Sequence, residues 1–101
     1  MLHSFRSYQL AIQFYRLAQG QRAPRHLRDQ LLRASSSVAL NLSEGSAKRS
    51  PADRRRFYEI GLGSVRECEA IAELLGPQAA ALEEPLDKLA RHVYKLVQAV
   101  K

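Results

Sequence analysis

Lys48 and Arg49, then Arg54, Arg55 and Arg56, place five cationic side chains within nine residues. Groups at that density do one kind of chemistry well: they neutralise phosphate or carboxylate oxygens, arginine through a planar fork of N–H donors. Arg6 and Lys95 join them as candidate nucleic-acid contacts once the chain is folded. A second set, Ser37, Asn41, Ser64 and Glu67, is read as a structural polar cluster. Its chemistry is hydrogen bonding, because an amide or carboxylate on a packing seam needs partners to be tolerated there. Glu67 can also pair with Arg33 across two helices.

Catalytic chemistry finds no comparable pattern. A di-iron site between helices uses Glu-x-x-His repeats, and none of His3, His26 and His92 stands in one, so no metal is expected. No Ser/His/Asp or Cys/His arrangement is readable, and Cys68 reads as a small core residue. Gly61-Leu62-Gly63 lies inside a helical pattern rather than ahead of one, so it is not a phosphate loop. The expectation is a non-enzymatic protein without a cofactor.

Two helical segments must position these residues. In the first, Leu27, Leu31, Ala34, Val38, Asn41 and Gly45 recur in steps of four and three, which keeps them on one face. Gly45 is expected to end this helix in the left-handed conformation. The second opens at Ser50-Pro51-Ala52-Asp53, where the Ser50 hydroxyl can accept the Asp53 amide and Pro51 loses nothing at the first helical position. Phe57, Ile60, Ser64, Cys68, Ile71 and Leu75 then form its expected inward stripe. Gly61 and Gly63 each cost roughly 1 kcal/mol in a helix interior, so a compensating contact is expected. Folding about a loop at Lys48 sets residues 35–38 beside residues 61–64, small against small, with Gly63 in the tight interface.

The flanking segments complete an all-α reading, with helices at about 5–19, 25–45, 51–75 and 79–100 in a single domain, 1–101. Helix 1 is expected to be capped by Ser4 and ended by Gly20. Its stripe of Phe5, Tyr8, Ile12 and Tyr15 is joined by Leu10, Phe14 and Leu17 on other faces. A helix apolar on several sides implies a second buried face, against a neighbouring helix or another subunit. Pro24 begins helix 2, and Gly76-Pro77 stops helix 3. Helix 4 begins near Gln78 or at Pro85 and carries Leu86, Leu89, Val93, Leu96 and Val100 at three-and-four spacing. Short connections favour antiparallel neighbours, hence an up-and-down antiparallel four-helix bundle.

That topology gives the net charge of +6 a location. Arg6, Lys48, Arg49, Arg54, Arg55, Arg56, Lys95 and Lys101 gather at one end against only Glu44 and Asp53, while charges at the other end cancel. Such an end can gather phosphates, or simply keep the protein in solution. No apolar stretch approaches the roughly 20 residues of a membrane span. Arg6 and Arg16 interrupt the first eighteen residues, against a secretory signal. With one cysteine no intramolecular disulfide forms, and the cytoplasm is the expected compartment.

Gln30-Leu31, Arg33-Ala34, Ser37-Val38, Asn41-Leu42 and Glu44-Gly45, followed by Ser50, Arg56-Phe57, Gly63-Ser64 and Glu67, carry a resemblance over nearly the whole chain. The sequence resembles the four helix bundle proteins encoded in 23S rRNA intervening sequences, also called the S23 ribosomal protein family. The resemblance implies a ring-like homopentamer and brings no catalytic residues. More distantly, the chain is similar to the accessory variability determinant of diversity-generating retroelements, a basic pentamer that binds nucleic acid and a reverse transcriptase. The partners expected on this basis are further copies of the chain, RNA or DNA, and, as the alternative, an acidic protein such as a reverse transcriptase.

Overall fold

One serine, two alanines and a single phenylalanine, rather than the tyrosines and isoleucine, set the described inner face of the first helix. The computed structural model describes the backbone from Leu2 to Val100 and side chains from Arg6 to Val100; Lys101 lies outside the described residues. Helix α1 covers Leu2–Gln19, so Ser4 lies within it rather than capping it. Ser7, Ala11, Phe14 and Ala18 recur in steps of four and three and are buried, whereas Tyr8, Ile12 and Tyr15 are only half-buried on one shoulder. On the opposite shoulder Leu10 is half-buried and Leu17 is exposed. The expected stripe is thus displaced, because small residues let α1 approach its neighbours closely.

Helix α2 covers Arg25–Ser46, and its first turn hangs on the Pro24 carbonyl, which accepts from the amides of Leu27 and Arg28. Gly45 does not end it in a left-handed turn; among the described residues only Gly76 has a positive φ. The helix instead runs one residue further and closes as the Ala47 amide donates to the Glu44 carbonyl and the Lys48 amide to that of Gly45, each at 3.1 Å. Glycine at 45 answers a different need. A Cβ there would stand 2.7 Å from Cε1 and 2.8 Å from Cδ1 of Tyr58, and 3.2 Å from the Arg54 carbonyl oxygen.

Helix α3, Pro51–Leu75, begins with Ser50 Oγ accepting the Asp53 amide at 3.3 Å. Its buried residues are Tyr58, Gly61, Val65, Cys68, Ile71 and Leu75. Ahead of Cys68 this stripe is rotated from the expected one: Phe57 and Ser64 are half-buried and Ile60 is 44% exposed. The glycines divide accordingly. Gly61 lies against α2, where an added Cβ would meet Leu42, Asn41 and Val38 at 3.6–3.7 Å, while a Cβ on Gly63 would meet nothing within 4 Å. Gly63 therefore faces outward, Gly61 makes ordinary contact with α2, and the close approach belongs to Gly45.

Gly76, at φ 70°, turns the chain into a 3-10 segment, Gly76–Ala79, from which α4 runs over Ala80–Ala99 and passes through Pro85 without stopping. It buries Leu82, Leu86, Leu89, Ala90, Val93, Leu96 and Val97.

Partner pairs fix the directions. Arg33 meets Glu67, Ser37 meets Ser64, and Ser46 meets Tyr58, so positions rise on α2 as they fall on α3. Each helix packs against two neighbours, in the order α1, α2, α3, α4 and back to α1, and among the described residues the diagonal backbones do not approach as closely. The Gln21 side chain donates to the Gln78 carbonyl, joining the α1–α2 and α3–α4 connections at one end and leaving the α2–α3 loop at the other. Phe14, Leu31, Leu42, Tyr58, Leu82 and Leu89 fill the core of a body 40 × 22 × 18 Å. Among the described residues no helix is long and apolar enough to cross a membrane.

Candidate nucleic-acid interface

The α2–α3 loop is held from beneath by a ring and from one side by an arginine. One edge of the Tyr58 ring packs against Gly45, and its hydroxyl stands 3.2 Å from Ser46 Oγ, which fixes the end of α2 against the start of α3. Arg54 is half-buried, and its Nη2 donates to the carbonyls of Lys48 at 3.2 Å and Arg49 at 3.1 Å. Of the basic residues singled out, Arg54 is the one committed to building the loop.

The other cations are available at the surface. Lys48 pairs with Glu44 at 3.1 Å, Arg55 with Glu59 at 3.4 Å and Arg56 with Asp53 at 3.8 Å. All six side chains are at least a third exposed, and such pairs are worth only about 0–1 kcal/mol, so a phosphate can replace the carboxylate. Arg49 is exposed and has no ion pair among the described residues. Arg6 and Lys95 are also exposed but lie on the flanks. At about 1.5 Å of rise per residue, Arg6 is roughly 20 Å along α1 from Gln19, whereas Ser46 is roughly 30 Å along α2 from Arg25. Arg6 thus stands short of the loop by about two helical turns.

Phe57 is the residue of this end that sequence reasoning placed elsewhere. Lys48 Nζ lies 5.2 Å and the Arg56 Cζ 4.7 Å from its ring centroid, close enough for the ring's negative face to attract both. The sequence offered two stripes of equal weight here, and the buried one is that of the neighbouring Tyr58 with Gly61, Val65 and Cys68, which leaves Phe57 outside the core.

Three of the four polar-cluster residues meet. Ser37 and Ser64 hydroxyl oxygens are 2.9 Å apart, and Asn41 Nδ2 donates to the Ser37 carbonyl at 2.9 Å and to its Oγ at 3.0 Å. Glu67 stands apart, paired with Arg33 Nη2 at 2.8 Å at the surface. Among the described residues no buried side-chain polar atom lacks a partner. The cluster thus has the geometry of a helix-to-helix clamp.

Elsewhere the surface has the opposite sign. A groove of about 300 Å³ between α3 and α4 is lined by Glu69, Glu73, Glu83 and Asp87 with Ala72, Gly76 and Leu86, a setting that repels phosphate. Among the described residues no three His, Cys, Asp or Glu side chains gather as metal ligands would.

Cys68 is fully buried; loss of solvation, then the charges of Glu67 and Glu69, push its thiol from the ordinary value of 9.0 up to about 12. The thiolate is the nucleophile, so Cys68 is expected to resist Ellman's reagent in the folded protein and to react fully in denaturant. The sign of the pH effect follows: above pH 9 the unfolded chain loses this proton while the folded chain keeps it. Cys68 therefore lowers stability as pH rises from about 9 to about 12, and Cys68→Ala should flatten that part of a melting profile. Rapid labelling of the folded protein at neutral pH would show the thiol to be accessible.

The fold and the basic loop define a small all-α protein with a polarised surface. Residues 4–101 match the family described as 23S rRNA-intervening sequence protein, and the chain belongs to that family. No curated protein matches it.

Proposed function

We propose that the chain is a non-enzymatic, homo-oligomeric four-helix bundle protein of up-and-down antiparallel topology that binds RNA or DNA through its basic end, in the cytoplasm. The observation that carries this reading is the set of exposed Arg49, Arg55 and Arg56 with half-buried Lys48, around a loop that Tyr58, Ser46 and Arg54 hold in shape. Each cation is either without an acidic partner among the described residues or paired only at the surface. A pentameric ring, as the family resemblance implies, repeats that set five times on one face and raises the local potential. Leu40 at 68% exposed and Leu74 at 72% supply apolar surface that subunit contacts can cover.

The test is fluorescence anisotropy with labelled RNA and DNA at two salt concentrations, alongside light scattering. Four phosphate contacts per site should weaken binding roughly fifty- to 150-fold between 50 and 200 mM salt. Scattering should give about 57 kDa, five copies of the 11.4 kDa chain. A single-chain mass at micromolar concentration overturns the ring. Salt-insensitive or absent binding, together with an acidic protein such as a reverse transcriptase co-purifying at fixed stoichiometry, replaces nucleic acid with a protein partner.

A further inference from the structure

An aromatic ring that leaves the core stripe for a cluster of cations is the one feature of the basic end that phosphate attraction does not require. Phe57 is half-buried, so part of its surface reaches solvent. Lys48 and Arg56, 5.2 and 4.7 Å from its centroid, reach it on long side chains whose carboxylate partners, Glu44 and Asp53, are themselves exposed. Both cations can swing from the ring to an incoming phosphate without breaking a buried contact. What they uncover is a flat apolar surface with positive charge on its rim. That combination fits a nucleobase whose own phosphates lie beside it.

We propose, on the basis of the nucleic-acid reading above, that Phe57 is a stacking platform for an unpaired base, flanked by Lys48 and Arg56, and that the ligand is single-stranded nucleic acid. A duplex makes poor use of this arrangement. Its bases are stacked inside, and its major groove, about 12 Å wide, admits a single helix. The end that carries Phe57 is a hairpin of two helices on a body 22 × 18 Å in section, too broad to enter. A duplex would touch the cations through its backbone and leave the ring idle. A single strand can turn one base onto Phe57 and keep its phosphates on Lys48, Arg49 and Arg56.

The chain holds no tryptophan, so Phe57→Trp installs a single emitter at the proposed contact. The probes are a labelled oligouridylate, a duplex of equal length and polyglutamate. The parent is expected to bind the single strand more tightly than the duplex. Phe57→Leu, which keeps an apolar side chain but loses the π-face, should weaken single-strand binding about tenfold, with the salt slope and duplex binding unchanged. Phe57→Trp should retain binding and lose much of its emission on saturation, because stacking quenches indole. Unchanged emission at saturation, undiminished binding by a folded Phe57→Leu protein, or a parent that prefers duplex each overturns the platform and leaves salt-dependent phosphate binding standing. Polyglutamate displacing the oligouridylate at equal charge overturns it in favour of an acidic peptide. If the parent shows no salt-dependent binding to either nucleic acid, both readings fall together.

Discussion

Replacing Gly45 with alanine is expected to destabilise the protein by about 1–3 kcal/mol, even though alanine is the better helix former. The two effects oppose each other. Alanine gains roughly 1 kcal/mol of propensity in a helix interior. Its methyl, however, would stand 2.7 Å from a ring that is 2% exposed and 3.2 Å from the Arg54 carbonyl, and overpacking of this kind costs typically 1–3 kcal/mol. A ring forced aside also loses its hydroxyl contact with Ser46, worth about 1 kcal/mol more. Crowding therefore outweighs propensity. For a chain of this size the loss corresponds to a fall in Tm of about 5–20 °C. Gly63→Ala is expected to move the other way by up to about 1 kcal/mol, because its methyl meets nothing within 4 Å. Thermal melts of both variants check the pair. Gly45→Ala combined with Tyr58→Leu should show favourable coupling in a double-mutant cycle, since the smaller side chain makes room. An unchanged melt for Gly45→Ala would mean that the ring yields freely and the loop end is soft.

Those two glycines also show where the sequence could be read and where it could not. The start of α3 was legible because its determinants are local: Ser50 accepts the Asp53 amide, and Pro51 takes the first position. The facing of residues 37 and 64 followed from helical period and a pivot near Lys48, again quantities contained in the chain. The rotation of α3 was not legible, since Phe57 and Tyr58 are adjacent aromatics and either can begin a stripe. The choice is made by tertiary partners: only Tyr58 reaches Ser46 and packs against Gly45. With that choice Phe57 passes to the cations and Gly63 to the surface. Arg54 was indistinguishable from Arg55 and Arg56 by type, and its separate role depends on where two loop carbonyls point. The long apolar side chains of α1 misled for a related reason, because buried area depends on how closely helices approach, and small residues at 7, 11 and 18 decide that.

Changing Arg49, Arg55 and Arg56 together to glutamate is expected to abolish nucleic-acid binding while the protein remains folded. Arg54 is left in place because its guanidinium holds the Lys48 and Arg49 carbonyls, and its loss would confuse a folding defect with a binding defect. The three chosen side chains are exposed, and glutamate is a good helix former at 55 and 56. The substitutions carry a stability cost. Arg55 with Glu59 and Arg56 with Asp53 become like-charged pairs at helical spacing, each costing about 0.2–0.5 kcal/mol beyond the lost attraction. The Arg56 contact with Phe57 goes as well, at about 0.5–1 kcal/mol. A total near 1–3 kcal/mol is within the 5–15 kcal/mol typical of a folded domain, so circular dichroism should show full helicity with a lowered Tm. Binding has no such reserve. Each reversal removes one positive charge and adds one negative, so the three together shift the charge around the loop by six units and leave it acidic. With three of four phosphate contacts turned repulsive, affinity should fall by more than a hundredfold at low salt, and the salt dependence should disappear with it. A folded triple variant that binds RNA and DNA as tightly as the parent would place the binding surface elsewhere on the molecule.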